Sequence, residues 1–158
     1  MSTNVHTSPE ETRLAQFLGL ENRILITAEQ TDGAISVVQT TVHPGAGAPL
    51  HTNTREALVW HVLEGTLTLH TEEGPVEVPA GSISFLPKGS THTFTNATTQ
   101  PVRALLVCVP GGFERFFLDL SDKLPPETPS GPPPQEAINV LVETAERYGL
   151  RIHPPENS

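Results

Sequence analysis

The sequence predicts an all-β protein, a small antiparallel β-barrel with one short helix before it and helices after it. Three observations predict this. The middle of the chain breaks into short β-branched runs, turn signals rich in Gly, Pro and Asn separate them, and helical periodicity is confined to the two ends. Many short strands at such spacing, in a 158-residue chain, fit one β domain with a real core.

The elements follow in chain order. Ser8-Pro9-Glu10-Glu11 reads as a helix start, with Ser8 as N-cap, Pro9 in the first helical position and Glu11 closing a capping box. Leu14, Phe17 and Leu18 would form its apolar face and Gly19 its end, so residues 1–22 read as a helical arm. The barrel spans residues 23–110. Its candidate strands are Ile24–Glu29, Ala34–His43, Ala57–Leu63, Thr66–Thr71, Pro75–Val78, Ile83–Leu86, His92–Thr95 and Val102–Val109. Asp32-Gly33, Glu64-Gly65 and Glu73-Gly74 read as hairpin turns between them. Residues 111–158 form a helical extension. Phe113, Phe116, Phe117 and Leu120 recur at helical spacing, as an apolar face docked on the barrel. A stiff proline-rich connector covers 124–134, and a second helix runs from Gln135 to Tyr148, ended by Gly149.

Composition removes several function classes. The net charge is −9 and the only lysines are Lys88 and Lys123, so phosphate backbones and anionic lipid are repelled. No apolar run approaches a membrane span, and the polar N-terminus carries no secretory pattern. Cys108 is the single cysteine, which excludes an internal disulfide and suits a reducing cytoplasm. The expected partner is a small molecule, with no nucleic acid and no membrane.

The residues that carry chemistry lie between Pro44 and Asn96. His51 and Asn53 are two apart and share one face of an extended strand; Leu58, Trp60 and Val62 share a face of the next; His92, Phe94 and Asn96 share a face of a later one. Pro87-Lys88-Gly89 makes a tight turn that returns His92 to the barrel. If these faces meet, two imidazoles converge among aromatic and aliphatic side chains, as in a small-molecule pocket. Glu56 reads as a solvated charge near a turn, and His43, His61 and His70 read as facing outward. His6 and His153 read as incidental. Cys108 reads as a small core residue, with no cation placed to activate it.

Two blocks resemble the two motifs of the cupin family. The first runs from Pro44-Gly45 through His51-Thr52-Asn53 to Gly65; the second runs from Gly81 through Pro87-Lys88-Gly89 and His92 to Asn96 and fits at every position. The tail resembles single-domain bacterial cupins of the quercetin-dioxygenase-like group. The resemblance implies a jelly-roll barrel and a homodimer. In metal-binding cupins the first motif supplies two His and a Glu and the second a His. Carried over, His51 and His92 remain, Asn53 replaces the other His and Leu58 replaces the Glu. Two histidines predict no tight cofactor, or a weakly bound divalent metal such as Fe, Mn, Ni, Zn or Cu.

The expected function is therefore an acid–base enzyme, a cyclase, isomerase or dehydratase acting on a small carbonyl or aromatic substrate. His51 and His92 would move protons, Asn53 would hydrogen-bond a substrate oxygen, and Trp60, Phe85, Phe94 and Leu58 would pack against the substrate. The alternatives are a quercetinase-like dioxygenase with an altered ligand set and a non-catalytic binding protein.

Overall fold

Two antiparallel sheets face each other in the computed structural model, which describes residues 3–153. The strands are β1 (Arg13–Phe17), β2 (Leu20–Ile26), β3 (Ser36–Val42), β4 (His51–Asn53), β5 (Ala57–Glu64), β6 (Thr66–Thr71), β7 (Gly74–Pro79), β8 (Ile83–Leu86), β9 (Thr91–Thr95), β10 (Val102–Val109) and β11 (Leu150–Ile152). The first sheet has the order β1-β2-β3-β10-β5-β8 and the second β11-β4-β9-β6-β7. From β4 onward nearly every connection changes sheets, which is the jelly-roll path. The sheets close by packing face to face rather than by one continuous ladder of hydrogen bonds.

Strict alternation decides what lies inside. On β3, β5 and β10 every second residue is buried: Val38 and Val42, Leu58, Trp60 and Val62, then Val102, Ala104, Leu106 and Cys108. Leu67, Leu69, His92 and Phe94 face them from the second sheet. Each large apolar side chain buried here contributes roughly 1.5–3 kcal/mol.

Helices α1 (Glu114–Ser121) and α2 (Gln135–Arg147) cover one open side of the sandwich. The first packs on β1, the second on β11, and the two touch each other, so they bridge the two sheet edges. The proline-rich connector between them is pinned at its start. The backbone N–H groups of Leu18 and Gly19 donate to the carbonyls of Pro125 and Pro126, at 2.8 and 2.9 Å. Gly19, at φ +83°, has no room for a side chain, because a Cβ would meet the Thr128 hydroxyl. No described helix is long and apolar enough to cross a membrane.

Three expectations need correction. The N-terminal helix is a single 3-10 turn, Pro9–Glu11, followed by β1. The Ser8–Glu11 capping box does form, with the Ser8 hydroxyl 2.7 Å from the Glu11 carboxylate, but the chain then pairs with β2. Ala15 and Phe17 point inward and Leu14 is exposed, a period of two that tertiary pairing imposes over a helix-compatible pattern. Leu18 and Gly19, both at positive φ, make the two-residue turn. Glu64-Gly65 is not a hairpin turn but a crossing between sheets, since β5 pairs with β8 and β10 and β6 with β7 and β9. The C-terminal extension is also not wholly helical: beyond Gly149, β11 pairs with β4 from Leu150↔Asn53 to Ile152↔His51. Met1, Ser2 and residues 154–158, parts of the expected arm and extension, lie outside the described residues.

Candidate active site

His51 on β4 and His92 on β9 are direct cross-strand partners, which sets their rings side by side between the sheets. The ring centroids are 4.6 Å apart, meeting edge to face at 69°. Both side chains are buried, His51 at 7% and His92 at 1% exposure. The Nδ1–H of His51 donates to the Pro49 carbonyl at 2.7 Å, since a carbonyl only accepts. That bond leaves a lone pair on Nε2. The Nδ1 of His92 lies 3.3 Å from the Ser90 hydroxyl, and its Nε2 is buried with no partner.

Burial holds both rings neutral. It pushes the His51 pKa down, and the Pro49 hydrogen bond only partly opposes that. His92 is pushed down to about 4, by burial first and then by the neighbouring His51.

The two imidazoles look into a cavity of about 70 Å³. Leu58, Trp60 and Phe94 line it as expected, the Trp60 and Phe94 rings packing at 5.3 Å. The opposite wall was not legible in the sequence. Phe113, Phe116, Phe117 and Leu120 of α1 and Leu141 of α2 line it, with Leu150 and Ile152 of β11. The apolar periodicity of α1 was legible; that its face also closes a cavity was not, because this depends on where the helix docks.

Phe85 does not belong to the site. It is 66% exposed on the outer face of the first sheet, because alternation along β8 turns Ser84 and Leu86 inward and Ile83 and Phe85 outward. Asn53 shares the inward face of β4 with His51, but it does not line the cavity, and its buried amide has no hydrogen-bond partner. Glu56 is not a solvated charge. It is 5% exposed and burial pushes its pKa up, with the Asn53 amide and Arg55 opposing. It lines a separate cleft.

The outward histidines behave as expected: His43 pairs with Glu21 at 2.9 Å, and His61 lies opposite Ile83 and Leu105 on the outer face. His70 reaches only Thr95, at 3.2 Å. His153, expected to be incidental, has a partner: its Nε2 lies 2.8 Å from the Thr52 hydroxyl. Cys108 is fully buried and its thiol is pushed up to about 12, which leaves no thiolate for chemistry.

The donor set does not fit a resident transition metal. Two imidazole nitrogens face the cavity, but the next wall position holds Leu58, and among the described residues no three His, Cys, Asp or Glu side chains converge. Such ions in enzymes take at least three protein ligands.

Comparison with known proteins agrees with this architecture. The family model described as cupin domain matches residues 38–108, which include both histidines. The quercetin 2,3-dioxygenase of Bacillus subtilis is 23% identical over 134 residues, 85% of this chain, but the match covers only 40% of the relative's length. A predicted oxalate decarboxylase from Thermotoga maritima superposes with a TM-score of 0.61 at 19% identity, covering 67% of this chain and 99% of that one. The polyketide cyclase RemF from Streptomyces resistomycificus gives 0.56 at 24% identity, covering 69% of this chain and 80% of that one. Residues 38–108 thus match a cupin domain, and the two sheets have the fold of these cupin structures.

Proposed function

We propose that this cupin binds a small carbonyl-containing or aromatic molecule between its sheets and that His51 and His92 act on it as an acid–base pair. The observation that carries the reading is two buried, neutral imidazoles facing an apolar cavity, one with a free lone pair and one with an unpartnered nitrogen. In this scheme His51 Nε2 takes a proton from the carbon beside a carbonyl. His92 acts in the tautomer that carries its proton on Nε2, with Nδ1 accepting from the Ser90 hydroxyl, and donates that proton to the carbonyl oxygen. The product is an enol. Either His51 returns its proton to another carbon in an isomerisation, or the enol carbon attacks a second carbonyl of the same molecule, whose oxygen takes the proton from His51, in a ring closure. In both cases the enol hydroxyl gives its proton back to His92 as the first carbonyl re-forms. Trp60 and Phe94 pack against the flat part of the substrate.

At about 70 Å³ the cavity is smaller than the roughly 300 Å³ that ligand pockets usually offer. Substrate therefore enters by displacing the α1–α2 layer, which is held mainly by apolar contact. No tight cofactor is part of the scheme, and any divalent metal would bind weakly. The buried free thiol of Cys108 supports a reducing, cytoplasmic setting.

The chain has one tryptophan, Trp60, and it sits in the cavity wall, so its fluorescence reports occupancy directly. Acetophenone is a suitable probe. It should change Trp60 emission saturably and exchange its methyl protons for deuterium in D2O faster than buffer alone. His51→Gln and His92→Gln should each slow exchange roughly a hundredfold. Binding with no exchange would favour a non-catalytic binding protein, and exchange untouched by either substitution would sink the acid–base scheme.

A further inference from the structure

Nine Lys and Arg residues face eighteen Asp and Glu in this chain, yet three of the arginines meet at one place. Arg55 precedes β5, Arg115 lies in the first turn of α1 and Arg147 ends α2, and together they line a cleft of about 320 Å³. The cleft shares no wall residue with the histidine cavity. None of the three guanidinium groups has a carboxylate partner among the described residues, where the ion pairs are His43–Glu21, Arg103–Glu64 and Lys123–Asp119. Three unpaired cations around one hollow of an acidic protein repel each other, an arrangement that an anion relieves.

The cleft is also built. Arg55 lies across Gly149, which is at φ +72°, and a Cβ there would stand 2.6 Å from the Arg55 Nε. Its Nη1 reaches the Arg147 carbonyl at 3.4 Å, which ties the two arginine-bearing segments together. Glu56 forms part of the wall. It is buried, at 5% exposure, and its Oε2 has no hydrogen-bond partner. The other nearby acids are already engaged: Glu114 accepts from the backbone N–H groups of Ala28 and Gly112, and Asp119 accepts from Tyr148 and pairs with Lys123.

We infer that this cleft is a binding site for a phosphate group, free or as a small phosphate monoester, held by Arg55, Arg115 and Arg147. A single carboxylate is matched by one arginine fork, whereas a tetrahedral dianion offers oxygens to three. A phosphate here would join the β4–β5 loop to both helices that cover the histidine cavity. The inference does not depend on the chemistry proposed for that cavity.

Calorimetric titration of the full chain with inorganic phosphate and with phenyl phosphate, at constant ionic strength, tests the site. Saturable binding at about 1 mM or tighter is expected. Arg115→Gln and Arg147→Gln should each weaken it about tenfold, while Arg23→Gln, far from the cleft, should not. Amide resonances of Arg55, Gly111, Gly112 and Arg115 should shift with added phosphate. A stronger response to phenyl phosphate marks an ester site, and a stronger response to inorganic phosphate marks the free ion. No saturable binding of either overturns the inference. So does equal binding of succinate, or binding that survives the Arg115→Gln, Arg147→Gln double substitution.

Discussion

His92 illustrates how a residue legible in sequence gains its chemistry only from its surroundings. Its place in the second motif marked it as a pocket residue, and its pairing with His51 followed from the register. Its depressed pKa could not be read, because that depends on burial among residues distant in the chain. The consequence is measurable. The unfolded imidazole titrates near 6.5 and the folded one near 4, so acidification loads the unfolded chain with a proton that the folded chain refuses. The stability of the neutral form is fully present above 6.5 and is lost as the pH falls toward 4, by about 3 kcal/mol from this residue. Urea unfolding of the parent and of His92→Gln across this window should show the flatter dependence in the variant; parallel curves would contradict the burial argument. Cys108 gives a second test at this scale. Iodoacetamide at mildly alkaline pH should leave it unmodified in the native protein and label it after unfolding. Asn53, Phe85 and Glu56 were misplaced for one common reason: residue type suggested a role, whereas strand direction and loop packing decided where each side chain went.

At the scale of elements, strands with clean alternation were legible almost to the residue. Ile83–Leu86 and Val102–Val109 match their expected bounds, and α1 and α2 lie where the helical periodicity put them. The short segments were not legible. β4 and β11 have three residues each and gain their identity only from pairing, with one another and, for β4, with β9, and β1 hid behind a genuine capping box. The α1–α2 layer carries the argument about access. Leu120 is fully buried between it and the sheets, so Leu120→Ala should destabilise the protein by about 2–5 kcal/mol. The same substitution should speed probe entry into the cavity, read as the rate of the Trp60 fluorescence change. Lower stability with an unchanged entry rate would mean that substrate reaches the histidines by another path.

Across the whole molecule, the two motifs identified the fold because they record how two sheets meet, and that needs only local turns and alternation. The activity was less legible, since the same sandwich frames several reactions and the cavity is built by helices outside the motifs. The outer face of the first sheet adds a surface. Val37, Val107, Val59 and Phe85 are aligned across four adjacent strands, with Leu105, His61 and Ile83 in the next row. We propose that a second copy of the chain covers this face, as the expected homodimer. It is apolar in a protein of charge −9, so it is where two like-charged copies can meet without charge repulsion. Sedimentation should give a dimer for the parent and a monomer for Phe85→Glu. A parent that sediments as a monomer would refute the interface. Dialysis against a chelator should leave the thermal midpoint unchanged, as expected of a site with only two imidazole donors.

The central claim is that His51 and His92 form a neutral, buried pair rather than two ligands of a bound ion. Nitrogen-15 NMR of the histidine rings, followed from neutral to acidic pH, measures this most directly. The account predicts His51 protonated on Nδ1 and neutral at pH 7, and His92 neutral until the pH approaches 4. Both rings titrating near the ordinary value of 6.5, or both Nε2 resonances carrying the shifts of metal-bound nitrogen in the protein as purified, would contradict it.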